Sequence, residues 1–368
     1  MRPSPTAPTP ATAPAPLRPP PLRAAFALYV CGAALVLGSL TACRPEVTAP
    51  VRAPGAPKPP PERLEDTGLA RAALLSFSPQ YPLWTDGADK RRWIALPPGT
   101  SIDASDPDDW RFPPGTRLWK EFSFGGRPVE TRYMEARSDG SWSYATYVHG
   151  EDGVARRAPD RGVPEGVPVA GGAGRHVIPG QADCVSCHEG RPSPVLGFSL
   201  LQLSGDRDPN APHAAFGPED VSVAALVRTG RLRRLPPTLV APRVEASSPT
   251  ERAALGYLHG NCGGCHNDVG PLAPLGMVLA QSFGRPRPVQ GTLLARESRF
   301  RLWDRPDAVH RVHAGEPERS VLLHRLRSRD PNTQMPPVGS LVADEEAAAL
   351  LERWIRDLPG GRLVGLHN

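Results

Sequence analysis

Two short segments of this chain each bring two thiols and an imidazole together: Cys184-Val185-Ser186-Cys187-His188 and Cys262-Gly263-Gly264-Cys265-His266. Thiols three positions apart can each add to one vinyl group of a single porphyrin. The histidine that follows then falls under the iron as its proximal ligand. The spacing predicts two c-type haems, one bonded through Cys184 and Cys187 and one through Cys262 and Cys265, with His188 and His266 as iron ligands. Paired Cys-x-x-Cys units also build tetrahedral zinc cages. The two pairs here lie well beyond the roughly 15–20 residues that usually separate the halves of such a cage, and four thiolates give the repeated histidine no purpose.

Each iron has a sixth position. The chain holds four methionines, and Met335 stands in Thr333-Gln334-Met335-Pro336-Pro337. A thioether on a proline-stiffened loop is a good soft ligand, and His/Met ligation raises the reduction potential. Met335 is therefore expected at the second haem. For the first haem, Met277, Met134, His213 and His259 are candidates, or the iron has an open site. His259, three residues before Cys262, reads first as a hydrogen-bonding group for the neighbouring loop.

The elements that must hold these groups differ along the chain. From 64 to 179, aromatic and β-branched runs at 93–96, 118–124, 129–136 and 142–148 are separated by Gly125-Gly126 and Asp139-Gly140, which predicts an antiparallel β-meander. The run at 118–124 does not alternate cleanly, so its inward face is not evident. Trp84, Trp93, Trp110, Trp119 and Trp142 read as core. After Gly180 the texture changes to short helices between glycine- and proline-rich loops. Ser248-Pro249-Thr250-Glu251 reads as a capping box that starts a helix ending at His259-Gly260, just before the second motif. Further helices are expected over 319–327 and 344–358, the last with Ala347, Leu350, Leu351, Trp354, Ile355 and Leu358 on one side. The fold class is thus α+β, with a β-rich module over 64–179, a first haem-binding region over 180–247 and a mainly helical domain over 248–368.

Residues 24–40 form an apolar run of 17 residues preceded by Arg18 and Arg23, as in an export signal. The run closes on Leu40-Thr41-Ala42-Cys43, similar to the lipobox at which cleavage leaves a lipidated cysteine. The expectation is a signal over 1–42, lipidation at Cys43 and a proline-rich tether over 43–63, anchored to a membrane without spanning it. An uncleaved transmembrane helix is the competing reading, and the run sits at the lower edge of the roughly 17–25 residues required. The net charge of +5 includes arginines of this leader, and no nucleic-acid footprint is evident. Arg231, Arg233 and Arg234 read as solvated surface or as partners of a haem propionate. Asp106, Asp108 and Asp109 read as a solvated acidic turn.

Several segments together resemble the cytochrome c domain of exported bacterial haem proteins. They are Tyr257-Leu258-His259-Gly260-Asn261-Cys262, Gly315-Glu316-Pro317-Glu318-Arg319-Ser320, Met335-Pro336-Pro337-Val338-Gly339-Ser340 and Glu352-Arg353-Trp354-Ile355. The segments Tyr81-Pro82-Leu83-Trp84-Thr85-Asp86-Gly87-Ala88 and Trp110-Arg111-Phe112-Pro113-Pro114-Gly115-Thr116 are similar to a β-rich module found ahead of such domains. The resemblance is to exported di-haem c-type cytochrome lipoproteins, and it implies a class I cytochrome c-like domain at the second haem. It also implies electron transfer between a periplasmic dehydrogenase, such as an exported quinoprotein dehydrogenase, and a respiratory acceptor. The expected location is the cell envelope facing the periplasm. Arg44, where inner-membrane retention usually has Asp, favours the outer membrane. The enzymatic alternative is a di-haem peroxidase-like catalyst with one open iron.

Overall fold

Seven strands open the fold: β1 (Leu75–Ser76), β2 (Asp89–Ala95), β3 (Ile102–Asp103), β4 (Arg117–Phe124), β5 (Arg127–Ala136), β6 (Trp142–His149) and β7 (Ala155–Arg157). This computed structural model describes residues 58–171, 173–285 and 288–359, so the expected export signal, Cys43 and most of the tether lie outside the described residues. All but β3 join one antiparallel sheet in the order β1-β2-β4-β5-β6-β7. The β4–β5 hairpin turns on Gly125 and Gly126, whose φ values of 55° and 76° meet the need of a tight two-residue hairpin for left-handed backbone at both central positions. β8 (Val163–Pro168) and β9 (Arg175–Ile178) form a separate antiparallel pair.

The central strands are buried on both faces, which explains why 118–124 does not alternate. One face carries Ile94, Leu118, Met134 and Tyr144 into a core shared with Phe198, Leu200 and Cys184. The other carries Trp119, Tyr133 and Ala145 into a core closed by Leu64. Of the five tryptophans expected inside, Trp110 and Trp119 are fully buried, while Trp84, Trp93 and Trp142 are only partly so.

The region that follows contains α1 (Gln181–His188), α2 (Val223–Arg228), β10 (Leu232–Arg233), α3 (Pro249–Asn261), α4 (Gln290–Leu293), α5 (Val321–Arg327) and α6 (Glu345–Asp357). The fold is thus α+β, with an N-terminal six-stranded antiparallel sheet followed by a region of six helices among the described residues. β10 pairs in parallel with β3, which ties the two regions together. Ser248 caps α3 as its spacing suggests, its hydroxyl accepting from the Glu251 amide at 3.1 Å. The expected reciprocal bond is not made. The Glu251 carboxylate accepts instead from the amide and hydroxyl of Ser247, at 2.7 and 2.6 Å. Ala253, Ala254, Tyr257 and Leu258 of α3 pack with Leu350, Leu351, Trp354 and Ile355 of α6 and Leu323 of α5. Each fully buried Leu or Ile in such a core contributes about 1.5–3 kcal/mol.

The acidic turn is not simple solvated surface. Asp108 accepts from the Ser282 hydroxyl (2.6 Å) and from the amides of Phe283 (2.7 Å) and Gly284 (2.9 Å), while Asp109 faces Arg191 at 3.5 Å. A carboxylate beside three convergent donors is better satisfied by them than by water. In the basic run, Arg234 pairs with Asp103 at 2.5 Å, across the β3–β10 contact.

Candidate functional site

α1 presents the first motif against the sheet. Its first turn is closed by the Gly180 amide donating to the Asp183 carboxylate at 2.9 Å. Cys184 faces the apolar core under Ile94, Leu118, Met134 and Tyr144. One turn on, the His188 ring lies 5.4 Å from the Tyr144 ring, and its Nδ1–H donates to the Pro194 carbonyl at 2.7 Å. Burial drives the His188 pKa down to about 4; the Pro194 bond opposes this, and the charges of Arg132 and Lys120 add to it. The imidazole is therefore neutral with its proton on Nδ1, which leaves the Nε2 lone pair free to bind a metal.

The second motif continues from the end of α3. The Cys262 amide donates to Leu258 at 2.9 Å and the His266 amide to the Cys262 carbonyl at 2.8 Å, so the chain keeps turning through the motif. Burial pushes the Cys262 thiol up to about 12, with Cys265 adding to the shift. Burial, with Arg325 and Arg311 nearby, lowers the pKa of His266, whose Nδ1 is buried without a hydrogen-bond partner.

The fold sets the two motifs side by side. Cys265 Sγ lies 4.0 Å from the Ser186 carbonyl oxygen. The Asn267 amide nitrogen donates to Gly190, Gly263 and Gly264 at 3.2, 3.2 and 3.0 Å, and its oxygen accepts from the amides of Val269 and Gly270. This one side chain latches the loop after the first motif to the loop of the second. A Cβ on Gly270 would stand 2.2 Å from the Gly190 carbonyl oxygen, so the approach of the loops requires glycine there. All four motif cysteines are free thiols. Among the described residues no three His, Cys, Asp or Glu side chains converge as a metal cage.

A cavity of about 650 Å³ opens between the motifs, bordered by Cys187, Cys265, Arg132, His259, Trp84 and the segment Pro336 to Ser340. The volume falls in the range of about 300–1,000 Å³ typical of small-molecule and cofactor sites. The chain matches no known protein family, no curated protein and no solved structure.

The sixth-ligand candidates separate clearly. The Met335 amide donates to the Arg325 carbonyl at 2.9 Å, and the Arg325 guanidinium, one of the charges acting on His266, donates to Thr333 at 2.9 Å. The loop of Met335 is thus fixed to the residue that faces the second motif. Met134 is buried in the same apolar core as Cys184, whereas Met277 packs against the helical core around α3. His213 is engaged by carboxylates, with Nε2 at 2.9 Å from Asp344 and Nδ1 at 3.5 Å from Glu346. His259 accepts the Gln281 amide on Nδ1 at 3.0 Å, and burial lowers its pKa to about 3. A neutral His259 therefore carries its proton on Nε2, so that nitrogen has no lone pair for an iron.

Sequence reasoning overlooked what holds the cavity wall. Asp86 Oδ1 accepts the amides of Leu341 and Val342, both at 2.8 Å, and the Trp84 indole donates to the Val342 carbonyl at 3.0 Å. The Trp84 amide donates to Asn261, whose own amide reaches Pro82. Trp84-Thr85-Asp86-Gly87 is a brace between the β-module, the end of α3 and the loop after Met335. The Asp86-Gly87 pair, a turn signal, was what the sequence offered, and Asp86 does adopt left-handed backbone at φ 49°, which Asp tolerates better than most residues.

Proposed function

We propose that the chain is an exported di-haem c-type cytochrome that passes single electrons between a periplasmic dehydrogenase and a respiratory acceptor. The observation that carries this reading is the pair of Cys-x-x-Cys-His segments folded against each other, with Cys265 Sγ 4.0 Å from Ser186. Four free thiols, a His188 tautomer that leaves Nε2 available, and a His266 whose Nδ1 has no hydrogen-bond partner among the described residues make a donor set suited to two thioether-bound haems. Bound haem would supply one-electron redox chemistry. The chain's part is to fix ligands, exclude water and hold the two centres close. Cys184 and Cys187 would hold the first haem over the sheet, and Cys262 and Cys265 the second beside the Met335 loop. In this reading Met335 completes the second iron, Cys43 carries a lipid that anchors the chain to the envelope with the outer membrane favoured, and the partners are redox proteins such as a quinoprotein dehydrogenase.

A second reading, a di-haem peroxidase-like enzyme with one open iron, is favoured by the engagement of both His213 and His259 in other bonds. The pyridine haemochrome of the purified full-length chain tests the shared premise. Two haems per chain are expected, and a colourless protein that holds zinc would overturn both readings. Two low-spin haems indifferent to carbon monoxide support electron relay, whereas carbon monoxide binding at one haem with peroxide turnover supports the second.

A further inference from the structure

Strand register places Arg92, Lys120 and Arg132 directly opposite one another on β2, β4 and β5. Like charges facing across strands destabilise a sheet unless something neutralises them. Arg132 has a partner, since it donates to both carboxylate oxygens of Glu130 at 2.6 and 3.1 Å. Glu130 is already shared, because His176 donates to it at 2.6 Å from β9. Burial alone would raise the Glu130 pKa, but Arg132 and His176 outweigh it and hold the carboxyl low, so it stays ionised.

Arg92 and Lys120 have no such partner. Arg92 is 8% exposed, and among the described residues neither it nor Lys120 makes a side-chain hydrogen bond or ion pair. Lys90, two residues along the same face, is in the same position. The Lys120 ammonium lies over the Phe122 ring, 4.7 Å from its centroid. Burial and the neighbouring cations push Lys120 well below its usual range, and burial with Arg92 brings Lys90 to about 8. The other charges that act here are Asp220 on Arg92 and Asp89 and Asp344 on Lys90. Among the described residues, this face carries more basic side chains than Glu130, the carboxylate bonded to Arg132 on it, can answer.

What lies beside this row indicates the missing anion. Two residues along the same strands, roughly 7 Å away, is the apolar row Ile94, Leu118, Met134 and Tyr144 that covers Cys184. Arg132 lines the cavity together with Cys187. A ligand held at the first motif would thus meet hydrocarbon first and cations further on. A porphyrin has the same polarity, with an apolar ring and two carboxylates at one edge. We propose that the Arg92–Lys120–Arg132 row, with Lys90 beside it, is the site for the propionate carboxylates of the haem held by Cys184 and Cys187. This inference rests on the haem reading above.

The test uses purified full-length holoprotein carrying Lys120→Gln, Arg92→Gln or Lys120→Arg, with haem content and reduction potential measured together. Both glutamine variants should retain two haems. In each, removal of a cation should shift the reduction equilibrium of one haem about tenfold toward the oxidised form, about 59 mV for a one-electron couple. The propionate pKa should rise, so that this potential becomes pH-dependent between about pH 5 and 8. Lys120→Arg should behave as wild type. Two haems whose potentials and pH profiles match wild type in both glutamine variants, or loss of a haem from them alone, would overturn the inference by itself, and absence of haem from the wild-type chain would overturn it together with the functional reading. Succinate added to wild-type protein separates the sources of carboxylate. No shift in potential is expected, and a saturable shift would mean that the cations take a soluble dicarboxylate, which also overturns the assignment.

Discussion

Replacing Asp86 should detach the loop after Met335 in graded steps. Its Oδ1 accepts two backbone amides, Leu341 and Val342, at 2.8 Å each, and Asp86 is 5% exposed. Bonds to an ionised acceptor contribute about 1.5–3 kcal/mol each. Leu341 is 44% exposed, so water can replace part of what it loses and the lower figure applies. Asp86→Ala should therefore cost about 3 kcal/mol, plus about 1 kcal/mol for an alanine held at φ 49°. Asp86→Asn keeps a carbonyl oxygen in the same place and tolerates left-handed backbone. Its bonds are neutral and about half as strong, so the cost should be about 1.5 kcal/mol. Urea unfolding with an unchanged slope would give the two values, and amide exchange at Leu341 and Val342 should accelerate in both variants, more in the alanine variant than in the asparagine one. Equal losses in the two variants, or an alanine variant within about 1 kcal/mol of wild type, would refute the view that this carboxylate fixes the loop.

Three further perturbations follow from the same structure. Glu130 is fully buried and its pKa is held low against burial by Arg132 and His176, so its stabilisation is complete above the unfolded value of about 4.3 and is lost as pH falls through the depressed folded value. Glu130→Gln, which leaves the partly buried Arg132 guanidinium without its carboxylate, should cost about 3–5 kcal/mol at neutral pH and flatten the acid limb of stability against pH; an unchanged acid limb would contradict the assignment. If the chain carries the haems proposed above, His259→Ala should leave their optical spectrum as in the wild type, because His259 Nδ1 accepts the Gln281 amide, and a new high-spin signal would make His259 an iron ligand after all. Leu351→Ala, at a wholly buried position between α3 and α6, should cost about 2–5 kcal/mol by thermal or chemical unfolding, and a loss below about 1 kcal/mol would mean that the core collapses around the gap.

The elements that carry the site are largely legible in the sequence. Aromatic and β-branched runs around Gly125-Gly126 mark β4 and β5 because local backbone demands decide such a hairpin. The apolar side of α6, from Ala347 to Ile355, repeats with helical period because only one face meets the core. What could not be read depends on partners far along the chain. β4 lacks alternation because two separate cores cover it, and a sequence shows period but not the number of layers. β3 and β10 have two residues each, too short to leave a pattern, and they pair only because the fold brings them together. The Asp108 clamp, the Asp86 brace and the alignment of Arg92 with Lys120 and Arg132 are likewise products of register and long-range packing. The motif cysteines and histidines stood out as types and spacings, but their adjacency through Asn267 did not.

The flanks of the sheet also bear on how other molecules can engage this chain. A bare outer strand offers unpaired amides and carbonyls to any passing peptide. Here both outer strands are brief, three residues at one end and two at the other. Each is also hemmed by a neighbouring stretch of its own chain, Arg63 bridging to Arg156 and Ser76 to Asp220. Lengthening of the sheet by a foreign strand is thereby discouraged, whether in a productive complex or in a fibril. Recognition of this half of the molecule falls to side chains, which can be tuned one residue at a time.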